Sequence, residues 1–273
     1  MAGPFPVAPP SVHLRGLLPQ DLHALWPDLR LDERTSRRIQ ARLIGRDACD
    51  LHAVPGLAPA VAREVLRRGS VARLEVVERV RSQVDPFVKY LFRAPDGQVF
   101  EAVRIPLERP RWSVCVSSQV GCALACAFCE TGRLGFTRNL EAWEMVEQVL
   151  TVRREGPERP VTGVVFQGQG EPFQNYDNVI RAAEILRHPC GGQIRGDRIT
   201  ISTVGILPMI ERYTDEGHPY RLILSLTSAL PERRARLLPI AQRYAVADLL
   251  DAMRRHAERR GGPIHLAWVL MAG

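Results

Sequence analysis

The feature that most restricts what this chain can fold into is a group of three cysteines within eight consecutive positions: Cys122, Cys126 and Cys129. The chain has only six cysteines in 273 residues, so half of them fall in one short stretch. Intervals of three and two residues let three thiolates converge on one centre from a single loop. The fold must therefore hold this loop rigidly enough to keep three thiols together.

A fourth cysteine, which would complete an ordinary tetrahedral metal site, does not follow nearby. A 4Fe-4S cluster bound by three thiolates keeps one iron open for a ligand that is not protein. The alternatives are a zinc knuckle that lacks one ligand and a chance group of small buried thiols. We favour the cluster because the flanking residues support it as well as the spacing does.

The flanking residues carry a resemblance to a known family. Residues 115–132 read CVSSQVGCALACAFCETG, with Phe128 directly before the last cysteine, and residues 135–140 read GFTRNL. The CxxxCxxC pattern with this aromatic is the signature of the radical S-adenosylmethionine (SAM) superfamily. The whole stretch closely resembles the RlmN/Cfr family, whose members methylate an adenine ring carbon of 23S ribosomal RNA.

This resemblance implies two cofactors, a 4Fe-4S cluster on Cys122, Cys126 and Cys129, and SAM. In the superfamily the methionine end of SAM occupies the open iron, and one electron from the cluster cleaves SAM to a 5′-deoxyadenosyl radical. The protein supplies position and a dry site for this chemistry. The implied partners are RNA (23S rRNA, with tRNA as a second candidate) and a low-potential electron donor such as flavodoxin or ferredoxin.

Composition agrees with this class of protein. Hydrophobic residues make up 45% and charged residues 25%, as in globular proteins. No apolar run is long enough to span a bilayer, and the first ten residues lack the order of a signal peptide, so we expect a cytoplasmic monomer without membrane contact. The net charge of +7 and the pI of about 9.5 favour nucleic acid, although a GC-rich genome also produces arginine-rich proteins.

Periodicity divides the chain into four parts. Residues 1–12 are predicted to be disordered, 13–72 to form a helical RNA-binding module and 73–110 an antiparallel β extension with strands at 76–84, 87–92 and 99–105. Residues 111–273 are predicted to form the radical SAM core that the resemblance implies. Eight arginines of the module could contact RNA or simply form a solvated helix face: Arg34, Arg37, Arg38, Arg42, Arg46, Arg63, Arg67 and Arg68.

In the core, strands and helices alternate, which predicts a parallel α/β architecture. Strands are predicted at 112–117, 163–167, 198–202, 222–226 and 264–270, and helices at 139–154, 175–188, 207–216 and 246–260. The resemblance implies a partial (β/α)6 radical SAM barrel, of which five strands are present. An apolar fifth strand without its crossover helix leaves one face uncovered, so we expect a truncated core.

A second motif, Gly170-Glu171-Pro172, follows the second core strand. A glycine-rich turn allows close backbone approach to a ligand, and a carboxylate there can receive an ammonium group. The motif resembles the GEP sequence that binds the SAM amino group in this superfamily. A phosphate-binding loop is the alternative, but no Gly-Lys-Ser/Thr follows.

Ser202 and the run Ser225-Leu226-Thr227 stand at the ends of the third and fourth core strands, where barrel enzymes place ligand contacts. By resemblance these residues contact SAM. Each could equally cap the following helix. The family usually has Ser-Leu-His where this chain has Thr227, and a hydroxyl can hydrogen-bond but neither stacks nor carries charge.

The family mechanism implies a resolving cysteine, a proton acceptor and a methyl-carrying cysteine. By motif, Cys115 is the resolving cysteine and Glu101 the proton acceptor, with one residue more between them than we expect. The methyl-carrying cysteine would lie near the C-terminus, but no cysteine follows Cys190. Either the natural chain continues past Gly273, or it cannot perform the family reaction. Cys49 and Cys190 are interpreted as small buried apolar residues.

The sequence thus favours a radical SAM rRNA adenine methyltransferase, with carbon 2 as the target, presented without its C-terminal segment. One alternative is a diverged radical SAM enzyme that acts on another substrate, suggested by Thr227 and the missing cysteine. The other is an inactive RNA-binding relative. The intact cysteine motif and Glu171 argue against that last hypothesis.

Overall fold

The computed structural model describes residues 12–271. The predicted disorder of residues 1–12 therefore lies, up to residue 11, outside the described residues. The described chain begins with a small helical module and continues into a large sheet with helices packed against it. None of the helices in this part is long and apolar enough to cross a bilayer.

Three helices and two short parallel strands form the module: β1 (Val12–His13), α1 (Pro19–Leu25), α2 (Glu33–Gln40), α3 (Pro59–Arg68) and β2 (Gly69–Ser70). Proline begins both α1 and α3, where its missing N–H costs nothing because the first N–H groups of a helix have no partner within it. Asp32 caps α2 by accepting a hydrogen bond from Thr35 N at 2.6 Å. One π-helical turn, Ala41–Gly45, extends α2.

The remaining strands are β3 (Glu75–Arg81), β4 (Val88–Arg93), β5 (Val99–Pro106), β6 (Trp112–Val116), β7 (Gln119–Gly121), β8 (Phe136–Asn139), β9 (Val161–Phe166), β10 (Ile199–Thr203), β11 (Arg221–Ser225) and β12 (Leu266–Ala267). β7 and β8 pair with each other as a separate ribbon. The other eight form one sheet in the order β12-β11-β10-β9-β6-β5-β4-β3. Pairing is antiparallel from β3 to β6 and parallel from β6 to β12.

The helices after the extension are α4 (Glu130–Arg133), α5 (Ala142–Glu155), α6 (Tyr176–Arg187), α7 (Leu207–Glu216), α8 (Pro231–Leu237) and α9 (Val246–Arg260). α5, α6, α7 and α9 lie where the sequence predicts helices. α8 was not predicted, because its sequence PERRARL has no apolar stripe. β12 has two residues where the sequence predicts a strand over 264–270, since only Leu266 and Ala267 pair with β11.

A buried ionic network fastens the module to α5. The Arg15 side chain is fully buried and pairs with Glu147 on α5 and with Asp47 at 3.0 Å. Arg154, also on α5, pairs with Glu147 at 3.0 Å and with Asp47. Breaking one partner of such a buried pair is costly, so the network fixes the module relative to the core.

Candidate active site

The three cysteines lie on one loop between β7 and α4, just beyond the carboxyl end of β6. The β7–β8 ribbon closes the base of this loop. Cys122 N donates to the Gly135 carbonyl at 2.8 Å. Gly121 has a φ of +73°, and a Cβ there would lie 1.8 Å from the Gly135 oxygen. Only glycine fits this closure, which places Cys122 at the base of the loop.

The rest of the loop rests on α8. Cys129 N donates to the Cys126 carbonyl at 3.0 Å, which turns the chain between these two cysteines. Ala127 N donates to the Leu237 carbonyl, the last residue of α8, at 2.9 Å. Cys122 is buried, whereas Cys126 and Cys129 are partly exposed. The loop therefore presents its thiols from a fixed position at the rim of the sheet.

The electrostatics of the thiols show that they share one small region with Glu171. Burial raises the pKa of Cys126 to about 11, and the nearby Cys122, Cys129 and Glu171 add to the rise. Burial likewise raises the pKa of Cys122, with further contributions from Glu171 and Cys129. Like charges act on each other in this way only at short range. If the three thiols were ionised, their combined negative charge would therefore need a nearby cationic group to balance it.

The donor set of the loop, three thiols from one short stretch, fits a 4Fe-4S cluster bound by three cysteines. Within residues 12–271, no three or more His, Cys, Asp or Glu side chains converge closely enough to bind one metal ion. A zinc site requires each thiolate within about 2.3 Å of the same ion. In a 4Fe-4S cluster the thiolates bind different irons and stand further apart.

The glycine-rich turn after β9 packs directly on β7. Gly170 has a φ of +97°, and a Cβ there would lie 2.5 Å from the Gln119 Cβ. Gln119 Oε1 accepts a hydrogen bond from Glu171 N at 2.9 Å, which links the turn to the strand that precedes the cysteine loop. Pro172 then begins a short 3-10 helix. The turn thus carries the Glu171 side chain beside the thiols.

The Glu171 carboxylate is 2% exposed. It accepts hydrogen bonds from Phe173 N and Val204 N, both at 3.0 Å. Burial raises the pKa of Glu171, while the hydrogen bonds, that from Val204 N first, lower it. These two N–H donors, with the Thr203 hydroxyl as a third, use only part of the accepting capacity of a carboxylate. Glu171 can therefore receive a further donor, such as an ammonium group.

Ser202 and Ser225 meet at the ends of β10 and β11, with their Oγ atoms 3.0 Å apart. The helix-capping alternative is not observed for them. The N-cap residues of α7 and α8 are Ile206 and Leu230, and neither makes a side-chain cap. Both serine hydroxyls thus remain at the strand ends, where the sequence places ligand contacts.

Leu226 and Thr227 form the turn that follows β11. Their N–H groups both donate to the Ala267 carbonyl, at 3.0 and 3.3 Å. The Leu226 side chain is 2% exposed and belongs to the apolar core, so only its backbone can face a ligand. Thr227 is buried and has a φ of +61°, which is uncommon for a β-branched residue.

A cavity of about 530 Å³ opens beside this turn, within the usual size range of small-molecule sites. Its lining residues come from the turn, α8 and the segment after β12: Thr227, Ser228, Arg233, Arg236, Leu237, Trp268, Val269, Leu270 and Met271. A larger, shallow groove of about 770 Å³ lies between Arg187 and Pro219, at the amino ends of β10 and β11. That groove is at the other end of the strands from the cysteine loop.

Glu101 and Cys115 share one face of the sheet. Cys115 on β6 pairs with Val103 on β5, and Glu101 lies two positions along β5. Lys89 Nζ lies 2.9 Å from Glu101 Oε1. Burial raises the pKa of Cys115 to about 11. Side chains two positions apart on a strand point to the same face, so the thiol and the carboxylate face the same space.

The same face continues to the serines. Cys115 pairs with Val165, Val165 with Thr200, and Ser202 follows Thr200 at the next position on that face. The strand register therefore places Glu101, Cys115, Ser202 and Ser225 on one face of the sheet, and the turns that hold Glu171 and Thr227 follow the carboxyl ends of β9 and β11.

Sequence reasoning missed three residues that organise this site: Gln119, Lys89 and Arg234. Gln119 contacts Glu171 across 52 residues of sequence, and such contacts leave no local signal. One interpretation was wrong. Cys49 is exposed rather than buried, and its sulfur lies 3.6 Å from Arg15 Nη2. Cys190 is partly exposed.

Comparisons with known proteins agree with the observed fold. Residues 116–273 match the family model of the Radical SAM superfamily. A solved radical SAM methyltransferase from Sphaerobacter thermophilus superposes with a TM-score of 0.88 at 34% identity and covers 96% of this chain and 77% of that chain. The fold is that of a radical SAM enzyme, and the predicted partial barrel is confirmed.

Curated relatives indicate which family of radical SAM enzymes the chain belongs to. A probable RNA methyltransferase of Myxococcus xanthus is 46% identical over 270 residues, with 96% of this chain and 74% of the relative covered. A probable dual-specificity RNA methyltransferase RlmN of Heliobacterium modesticaldum is 39% identical, with coverage of 95% and 69%. The chain belongs to the RlmN-type family of radical SAM RNA methyltransferases, as the motif resemblance indicates.

Proposed function

We propose that the chain methylates carbon 2 of an adenine in 23S rRNA, with tRNA as a second substrate, and that it does so with SAM and a 4Fe-4S cluster bound by Cys122, Cys126 and Cys129. The observation that supports the proposal is the packing of the Gly170-Glu171 turn on β7, the strand that precedes the cysteine loop, through the 2.9 Å hydrogen bond from Glu171 N to Gln119 Oε1. When bound, the cluster and SAM supply radical chemistry that no side chain provides.

The residues of the chain divide the work of binding SAM. Glu171 receives the ammonium group, because its buried carboxylate keeps free accepting capacity beside the cysteine loop. Ser202, Ser225 and Thr227, with the Leu226 backbone, contact SAM at the strand ends. The cavity beside Thr227 has room for the remaining part of the molecule.

On the sheet face next to this site, Glu101 would accept a proton, and Cys115 would resolve the adduct that RNA forms with a methyl-carrying cysteine, a residue for which residues 1–273 offer no candidate after Cys190. Lys89 holds the Glu101 carboxylate in place through an ion pair of 2.9 Å. Burial of Cys115 raises its pKa to about 11, so the thiol is protonated at neutral pH. Both groups lie at fixed positions of the β5–β6 ladder.

The helical module is proposed to bind RNA. Of its eight arginines, five make contacts within the module. For Arg34, Arg46 and Arg63, no carboxylate partner lies within the described part of the chain. These three, with the net charge of +7, support contacts to phosphate groups.

Nucleoside mass spectrometry tests the proposal. The native gene is expressed in a bacterium that lacks its own enzyme of this family, and the nucleosides of rRNA and tRNA are analysed. We expect 2-methyladenosine, and none with the Cys126→Ala variant. Appearance of 8-methyladenosine instead would assign the other adenine carbon. Absence of both products from a strain with the intact gene would favour a different substrate, the candidate that Thr227 suggests.

A further inference from the structure

Arg234 on α8 is a fully buried arginine outside the predicted site residues. Within residues 12–271 no carboxylate pairs with it, and its three hydrogen-bond partners are backbone carbonyls. A buried charge without a counterion costs several kcal/mol. Such a group needs an explanation in the chemistry of its surroundings.

The guanidinium joins the ends of two strands of the site. Its Nη1 donates to the Leu226 carbonyl and, at 3.3 Å, to the Ser225 carbonyl. Its Nη2 donates to the Val204 carbonyl. Val204 in turn donates its N–H to Glu171. One side chain therefore fixes the Ser225-Leu226 turn relative to the residue that holds the Glu171 carboxylate.

The same helix supports the cysteine loop. Leu237, one turn after Arg234, accepts the hydrogen bond from Ala127 N at 2.9 Å, next to Cys126. The Nε of Arg234 is buried and has no acceptor in the described part of the chain. Burial lowers the pKa of Arg234, and the group that opposes this shift is Cys126. An arginine nevertheless stays charged in a protein.

We infer that Arg234 is a positioning residue that provides the positive countercharge to Cys126 and its cluster while it fixes the strand ends that contact SAM. This inference rests on the proposed function, since it requires the cluster. One electron from the donor protein adds negative charge beside a guanidinium that is cationic before and after the transfer. Arg234 therefore favours the reduced state and takes up or releases no proton.

Two variants separate the charge from the hydrogen bonds. Arg234→Met removes both. Arg234→Lys keeps the charge, but its single ammonium group cannot hydrogen-bond to all three carbonyls as the planar guanidinium does. Arg243→Met, an exposed position shortly after α8, is the matched control for loss of one positive charge. Each protein is loaded with iron and sulfide, checked by circular dichroism and iron content, and titrated with a reductant while the reduced cluster is followed by electron paramagnetic resonance.

We expect Arg234→Met to lower the ratio of reduced to oxidised cluster at least tenfold at the wild-type midpoint, which corresponds to 59 mV for one electron. Arg234→Lys and Arg243→Met should stay within about threefold of wild type. The dissociation constant for SAM should rise about tenfold in both Arg234 variants and not in Arg243→Met.

A wild-type midpoint in a folded, iron-loaded Arg234→Met protein would overturn the inference. So would an equal shift in Arg243→Met, because the effect would then be one of net charge. Failure of the wild-type chain to hold iron and sulfide would instead overturn the proposed function. If Arg234→Met does not fold, the inference is tested with Arg234→Lys. For that variant the inference requires a tenfold loss of SAM affinity and an unchanged midpoint potential.

Discussion

Ser202 Oγ lies 3.0 Å from Ser225 Oγ, although 23 residues of sequence separate them. The two hydroxyls belong to neighbouring parallel strands, β10 and β11, and both strands end at the rim that carries the cysteine loop. Each serine was selected from the sequence on its own, as a polar residue at a strand end. The structure shows that they act as one hydrogen-bonded pair.

This pair predicts coupled effects on SAM binding. Ser202→Ala and Ser225→Ala should each raise the SAM dissociation constant about threefold to tenfold, since one net hydrogen bond contributes about 0.5–1.5 kcal/mol. The double variant should cost less than the product of the two single effects, because each single change already breaks the shared bond. Isothermal titration calorimetry measures the cycle, and strictly additive effects would contradict it.

Glu171 is predicted to be needed for SAM binding rather than for folding alone. Glu171→Gln replaces an accepting oxygen with an NH₂ group that must face Val204 N–H or Phe173 N–H. We expect the SAM dissociation constant to rise more than tenfold, since charge-assisted hydrogen bonds contribute about 1.5–3 kcal/mol.

The matched control is Glu158→Gln, at an exposed position, which should leave SAM affinity unchanged. Equilibrium dialysis with labelled SAM compares the variants. Equal affinity in Glu171→Gln and wild type would show that the ammonium group binds elsewhere.

The Cys115 thiol should react slowly and with a steep pH dependence. Its pKa of about 11 means that the thiolate fraction, and with it the alkylation rate, rises about tenfold per pH unit up to about pH 11. Iodoacetamide labelling at pH 7 to 10, followed by peptide mass spectrometry, resolves each cysteine. The exposed Cys49 is the internal reference and should label first. An alkylation rate of Cys115 that levels off below pH 9 in the folded protein would show that burial does not raise the pKa of this thiol to about 11.

The ionic network between module and core predicts a large loss of stability when a single carboxylate in it is replaced by an amide. Glu147→Gln removes one of the two carboxylates that pair with the buried Arg15 and leaves it only Asp47, and removal of one partner of a buried pair typically costs about 3–5 kcal/mol. Glu211→Gln breaks the exposed pair with Arg255 and should change stability by less than about 1 kcal/mol. Urea denaturation measures both, and similar values for the two variants would mean that burial does not set the cost.

The sequence was sufficient to predict the strands and helices in which apolar residues recur with a clear period. The alternating strands of the extension and the amphipathic helices α5, α6, α7 and α9 appear within a few residues of their predicted bounds. α8 and the β7–β8 ribbon were missed because seven or fewer residues do not establish a period. Their positions depend on tertiary contacts, such as that of Gly121 with Gly135.

The same division applies to the site. The cysteine spacing and the turn that carries Glu171 can each be recognised within a short stretch of sequence. Arg234 does not, because it stands among other arginines in PERRARL, and only packing decides that its side chain is buried while those of Arg233 and Arg236 are exposed. Lys89 was passed over as an ordinary strand residue, since its partner Glu101 lies on the next strand.

The β5–β6 ladder has a consequence for how this enzyme can vary. Glu101 and Cys115 are held at their separation by backbone hydrogen bonds between two strands, so the loop that connects them contributes nothing to the distance. Residues can be added to or removed from that connection without moving either group. A slip of the ladder by a single position would instead turn one of the two to the opposite side of the sheet. The roles proposed for Glu101 and Cys115 are therefore compatible with one extra residue between them, because the register of the two strands, and not the length of their connection, sets the separation.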